Sequence, residues 1–237
     1  MRLFLIRYTK IIFCWLQLHR VFDLFSGPFL NAFYLTKLSK FIYQNRNVAL
    51  NDFPVKWNYE ARYPMYKTVL EKEIGDAGIN YFEFGVASGQ SFRWFLQQNQ
   101  HPSSKFYGFD TFTGLPEDWG PYKKGAFSTG KQPPEVGDPR AEFHQGLFQQ
   151  TLPQFLQGLN NSKRNIIMMD ADLYSATLYV LTAVAPFLKK DDIIFFDEFS
   201  VPTHEFKAYL DFVQSYYINL ELIAATNNYY FVAFKVI

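Results

Sequence analysis

Cysteine is almost absent from the chain. Cys14 stands alone among 237 residues, which excludes an intrachain disulfide and fits a reducing compartment. An excess of one charge is absent as well. The 23 Lys/Arg and 22 Asp/Glu leave a net +1, so nothing global points to nucleic acid or to an acidic partner. No stretch approaches the roughly 20 continuous apolar residues that a spanning helix needs. The segment 22–36 is broken by Asp23 and contains Ser26-Gly27-Pro28. The basic, apolar start makes a poor secretory signal, because Arg7, Lys10 and Arg20 cut its apolar stretches and no small-residue cleavage site follows. The expected location is cytoplasmic, with peripheral membrane contact left open. Internal repeats and low-complexity tracts are missing too.

Apolar residues are plentiful at 49%, and aromatics reach 20%, enough for a sizeable core. The charge is unevenly spread. Residues 1–50 hold seven Lys/Arg and one Asp, or +6, and the remainder carries −5. In that first segment Ile11, Trp15, Leu18, Phe22 and Phe25 recur at helical spacing and form an apolar stripe. Ser26-Gly27-Pro28 is expected to stop this helix, with a second one over 31–43 and a linker over 44–54. A stripe of that size needs burial. Three sinks are open: the rest of the chain, a second copy in a homodimer, or a membrane surface. Dimer or lid packing ranks first and peripheral membrane contact second. We therefore divide the chain into a helical extension, 1–53, and a domain, 54–237.

From residue 64 onward helices and strands alternate. Strands are expected at 81–84, 105–109, 142–144, 165–169 and 192–196. Helices are expected at 65–74, from 90 to about 99, at 151–159, at 173–188 and at 202–217, the last with Pro202 in its first turn. Residues 117–138, rich in Gly and Pro, read as a long loop. Strands at 220–225 and 229–236 flank Thr226-Asn227-Asn228 and read as a terminal hairpin. The alternation implies an α/β fold with a doubly wound, mostly parallel sheet, Rossmann-like, closed by an antiparallel hairpin.

Four of the expected parallel strands end in an acid: Glu83, Asp110, Asp170 and Asp197. Ligands of open α/β sheets bind beyond the carboxyl ends of the strands. Converging acids there suit a ligand with hydroxyls and positive charge, or a metal. Glu83 opens the run Glu83-Phe84-Gly85-Val86-Ala87-Ser88-Gly89, whose glycines allow close backbone approach at a strand-to-helix turn. The following helix start favours a carboxylate. The second glycine of G-x-G is missing, which argues against a nicotinamide oxidoreductase. Asp110 ends the next strand, where an acid can accept hydrogen bonds from ribose hydroxyls.

The E-x-G-x-x-x-G turn, Asp110 and the terminal hairpin resemble class I S-adenosylmethionine-dependent methyltransferases. That resemblance implies that Glu83, Gly85, Ala87, Ser88 and Gly89 hold the methionine part and that Asp110 holds the ribose. A narrower resemblance covers residues 62–237. The runs 146–153 (Gly-Leu-Phe-Gln-Gln-Thr-Leu-Pro), 170–177 (Asp-Ala-Asp-Leu-Tyr-Ser-Ala-Thr) and Asp197-Glu198-Phe199 are similar to the macrocin O-methyltransferase family, which modifies sugar hydroxyls of natural products. The D-x-D-x-Y run and the later acidic pair are also similar to catechol-type O-methyltransferases. These resemblances imply a divalent metal such as magnesium on Asp170, Asp197 and Glu198, a catalytic role for Asp170, and Phe148 near the adenine. Glu198 stands where those families carry Asp or Asn, and remains a hard oxygen ligand suited to magnesium.

Other residues carry two readings each. His204 can serve as a general base at the same sheet edge, or sit as a surface histidine in the first turn of a helix. Asp172 reads as a helix cap rather than a ligand, and His144 as structural. Trp119, Tyr122 and Phe127 form an aromatic lid or ordinary packing. Lys123-Lys124 is a solvated loop charge. The expected activity is metal-assisted O-methylation of a hydroxyl on a small molecule or sugar. The alternative is a non-catalytic protein that binds S-adenosylmethionine as a partner module.

Overall fold

The computed structural model describes residues 2–237. Two helices come first, α1 (Arg2–Trp15) and α2 (His19–Gln44). The break between them falls at residues 16–18, where Gln17 takes φ 50°, and not at Ser26-Gly27-Pro28. Pro28 lies inside α2. The helix absorbs it for the loss of one backbone hydrogen bond, so the stop expected there does not occur. The stripe does not pack on the rest of the chain either. Ile11, Trp15, Phe22 and Phe25 are exposed, Trp15 by 80%, and Leu18 is half-buried. Only from Tyr34 and Leu38 onward does α2 enter the core, where Phe41 packs on Phe199, Phe206, Tyr209 and Phe234.

The expected linker is docked onto the sheet edge. Ala49 bridges Ala224, and Asp52 Oδ1 accepts hydrogen bonds from Thr226 Oγ1 at 2.9 Å and from the Asn227 amide at 2.6 Å. Helix α3 (Arg62–Glu73) follows. The sheet is then built from β1 (Ile79–Phe84), β2 (Lys105–Asp110), β3 (Ala141–Gln145), β4 (Arg164–Met169), β5 (Ile193–Phe196), β6 (Leu220–Thr226) and β7 (Phe231–Val236). Its order is β3-β2-β1-β4-β5-β7-β6, with only β7 antiparallel to its neighbours. The helices between strands are α4 (Gln90–Gln98), α5 (Phe148–Gln157), α6 (Tyr174–Val184) and α7 (Glu205–Tyr216). Helix α7 begins after Pro202, which belongs to the preceding turn.

Side chains alternate along the strands, so each face of the sheet has its own core. Tyr81, Phe106, Ile166, Met168, Ile193 and Phe195 meet α3 and α4 on one face. Phe82, Phe84, Phe109, Ile167, Met169, Ile194 and Phe196 meet α5, α6, α7 and the end of α2 on the other. Both faces are covered, which is why β4 and β5 read as unbroken apolar runs.

The register sets up the candidate site. Phe84, Phe109, Met169 and Phe196 lie side by side in the last paired row. The next row holds Gly85, Asp110, Asp170 and Asp197. Three of its amides continue the ladder: Gly85 to Phe109 O, Asp170 to Phe84 O and Asp197 to Met169 O, each at 2.9 Å. Glu83 falls one row inside the sheet, opposite Gly108 and Met168. Three strand-end acids therefore reach the edge, and Glu83 does not.

Candidate active site

Beyond that row opens a cavity of about 640 Å³, within the range usual for small-molecule sites. Its floor is Gly85, Ala87, Asp110, Asp170 and Asp172, and Glu198 stands on its wall. Trp57, Tyr59, Trp119, Tyr122, Phe127 and Tyr230 supply aromatic walls.

The β1–α4 turn is shaped by its backbone. Gly85 has φ +93°, and a Cβ there would sit 1.7 Å from the Asp170 carbonyl oxygen, so no other residue fits. Ala87 takes φ 46° and Gly89 starts α4 at φ +74°. Asp110 ties this turn down. Its Oδ2 accepts from the Val86 and Ala87 amides at 2.9 and 2.8 Å, and its Oδ1 from the Phe112 amide at 2.7 Å. The carboxylate is thus fixed by three amides at the cavity floor, with lone pairs left to accept from a ligand hydroxyl. The Gly146 amide donates to the Asp110 carbonyl at 3.0 Å, which brings Gly146, Leu147 and Phe148 to the same end of the cavity. Phe148 packs edge-on against Phe84 with ring centres 5.5 Å apart.

The remaining residues of the turn stay outside the cavity lining. Glu83 is fully buried beneath the turn, where Tyr81 Oη donates to Oε2 and Ser91 Oγ to Oε1 at 2.7 Å. Burial pushes its carboxyl up to about 8. Ser88 is exposed, and Gly89 lies against Pro134.

The three acids expected to share a metal do not converge. Asp197 turns away toward α3, where it pairs with the buried guanidinium of Arg62 at 3.1 Å. It also accepts from Tyr66 Oη at 2.6 Å and from Tyr59 Oη at 3.3 Å. Asp197 already has a full set of donors, so its oxygens do not fit a shared ion. Among the described residues, no three His, Cys, Asp or Glu side chains are grouped closely enough to hold a metal. Asp170 and Glu198 do line the cavity.

Asp172 joins them, and it does not cap α6. The residue before the helix is Leu173, which makes no side-chain cap, and Asp172 sits at φ 58°. That left-handed conformation is uncommon for a residue with a Cβ. Glu198 Oε1 accepts from Tyr230 Oη at 2.5 Å, but no protein donor among the described residues reaches its Oε2. Asp172 and Glu198 line the same cavity. Burial first, then the charge of Asp197, pushes Asp172 up to about 7. Burial, then the charge of Asp172, pushes Glu198 up to about 9. Burial and the charges of Asp197, Asp172 and Glu198 hold Asp170 well above the usual carboxylate range. Behind them Glu205 is wholly buried and accepts from the Glu198 amide at 3.0 Å.

His204 stands outside the cavity lining, its ring 6.4 Å from that of Trp119. Burial lowers its pKa, which favours the neutral imidazole. His144 is structural, stacked on Phe109 at 4.7 Å. Trp119, Tyr122 and Phe127 form a continuous aromatic rim, with Trp119 stacked on Tyr122 at 5.3 Å and Tyr122 4.8 Å from Phe127. Lys123 is exposed and pairs with Asp118 at 2.8 Å. No motif or spacing in the sequence points to Arg62, Trp57, Tyr59 or Tyr230. They arrive from segments remote in the chain, and only their aromatic or basic character marked them.

A family model described as a methyltransferase domain matches residues 82–199. No curated protein sequence matches the chain. Among solved structures, the calicheamicin methyltransferase CalS11 is 21% identical, with 86% of this chain and 91% of that one covered and a TM-score of 0.56. The O-methyltransferase NovP is 18% identical, with 89% and 98% covered and a TM-score of 0.59. An apo structure of CalS11, described as a TDP-rhamnose 3'-O-methyltransferase, is 20% identical, with 86% and 93% covered and a TM-score of 0.53. At such identities the likeness is one of fold. The chain carries a methyltransferase domain and has the class I S-adenosylmethionine-dependent methyltransferase fold. It resembles methyltransferases that act on sugars and natural products.

Proposed function

We propose that the chain transfers the methyl group of S-adenosylmethionine to a hydroxyl oxygen of a small-molecule or sugar acceptor. The observation that carries this reading is one cavity with two chemically different ends. At one end Gly85, Ala87, Asp110 and Phe148 suit the cofactor. Asp110 is held to accept from the ribose hydroxyls, and Phe148 offers a ring to the adenine. At the other end Asp170, Asp172 and Glu198 lie under aromatic walls. In this reading Glu83 supports the methionine part indirectly, by fixing the turn from below.

The acceptor oxygen attacks the sulfonium methyl in line. The new O–C bond forms as the S–C bond breaks, and S-adenosylhomocysteine leaves with the electron pair. The acceptor's proton goes to a carboxylate. Asp172, whose carboxyl is pushed up to about 7, can take it near neutral pH. Positioning in the cavity contributes the rest, on the order of 7–11 kcal/mol when the reacting atoms are aligned. His204 is the alternative base, one ring removed from the cavity. Because Asp197 is committed to Arg62, no step here runs through a metal.

The test is a cofactor-consumption screen over hydroxylated acceptors, with magnesium and with excess chelator. Turnover that persists in chelator supports the carboxylate base. Turnover abolished by chelator and restored by magnesium would overturn that assignment. Cofactor binding without turnover on any acceptor favours a non-catalytic binding module.

A further inference from the structure

We infer that α1 and the first half of α2 form an arm that docks on an anionic lipid surface, independently of the reaction proposed above. Every side chain from residue 3 to residue 33 is exposed except the half-buried Leu18. Leu3 is exposed by 73%, Leu24 by 76% and Phe29 by 69%. Soluble monomers rarely leave apolar surface of this extent uncovered. The arm is nonetheless rooted in the fold, because Tyr34, Leu38 and Phe41 anchor the later turns of α2 in the core.

Charge identifies the occupant. The exposed arm carries Arg7, Lys10 and Arg20 against Asp23, within a segment of +6, while the rest of the chain is −5. A helical dimer related by a two-fold axis would set this basic patch against itself. An anionic surface complements it, and would repel the acidic remainder so that only the arm approaches.

The distribution of apolar residues agrees. On α1, Phe4, Tyr8, Ile11, Ile12 and Trp15 form one face at helical spacing. Leu3, Ile6 and Phe13 lie toward the other side, beside Arg7 and Lys10. A single helix–helix seam would leave that second set bare. An interfacial helix sinks roughly 5–10 Å into the headgroup and acyl boundary and covers a wide arc, with Lys and Arg reaching back to the phosphates. Tyr8 and Trp15 have the amphipathic rings that favour that boundary. Phe13 and Phe22, with ring centres 5.1 Å apart, hold the two helices in contact across the break at Gln17. No helix among the described residues is long and apolar enough to cross a membrane, so the arm would lie on the surface.

The experiment is sedimentation of the full-length chain with vesicles of phosphatidylcholine alone and of phosphatidylcholine mixed with phosphatidylglycerol. Light scattering without vesicles runs beside it. Binding is expected on the anionic vesicles and should weaken with salt. The variant R7Q/K10Q/R20Q should bind on the order of a hundredfold more weakly. Trp15→Ser and Phe29→Ser should each lose about tenfold or more. All these positions are exposed, so the fold should survive, and unchanged circular dichroism would verify that. Equal retention on neutral and anionic vesicles overturns the inference. So does a discrete dimer that leaves both vesicle types unbound.

Discussion

Replacing Arg62 with Met tests whether Asp197 is a structural anchor or a ligand. The Arg62 and Asp197 side chains are each 2% exposed, and the guanidinium reaches Asp197 at 3.1 Å. Removing the cation leaves a buried carboxylate with only the Tyr66 and Tyr59 hydroxyls as donors. Breaking a buried pair from one side costs about 3–5 kcal/mol. In a chain of this size that lowers the melting temperature by on the order of 10 °C. The double variant R62M/D197L removes both charges and should regain most of the loss, because a buried pair replaced by apolar residues is often close to neutral. Chemical denaturation of wild type, both single variants and the double variant closes the cycle. Arg62→Met losing less than about 1 kcal/mol would refute the pairing. Asp197 would then be free for another role, including the metal ligation that its place in the sequence suggested.

Further expectations follow from the same geometry. Asp110→Ala should weaken S-adenosylmethionine binding tenfold to a hundredfold, since hydrogen bonds to a charged group contribute about 1.5–3 kcal/mol; calorimetry showing unchanged affinity would remove Asp110 from the site. Activity should rise with pH through about 7 as Asp172 gives up its proton, and Glu198→Gln should displace that limb of the rate profile, whereas an unmoved limb points to another base. Glu83 holds its proton to about 8 when folded and to its ordinary value of 4.5 when unfolded, so the folded state binds more protons between those limits and stability falls as pH rises through them, by a few kcal/mol in order of magnitude. Glu83→Gln should flatten that decline, and parallel curves for the two proteins would contradict it.

The sheet was legible because its strands are apolar runs bounded by turn residues, and because Gly85 and Gly89 mark a turn that tolerates no Cβ. The helix break in the extension was misplaced because Ser26-Gly27-Pro28 is a strong local signal, while apolar residues continue at helical spacing on both sides of it. Asp172 was read as a cap because it stands just before a helix. Its left-handed backbone, in a residue that lines the cavity, has no signature in a residue other than glycine. The partner of Asp197 was out of reach for a different reason. Arg62 lies 135 residues earlier, and only the packing of α3 against β5 brings the two together.

The three strand-end acids occupy equivalent places in one row of the sheet, and their roles diverge through what faces each of them. Asp110 meets the amides of a tight turn and becomes a fixed acceptor. Asp197 meets a guanidinium and two phenols, and its capacity is used up within the fold. Asp170 meets no protein donor among the described residues and has other acids around it, so its charge is compensated by a proton or by whatever enters the cavity. The acid without a protein donor is therefore the one free to hold a proton or to meet a ligand, and that freedom is set by neighbours distant in sequence, not by the residue type at the end of the strand.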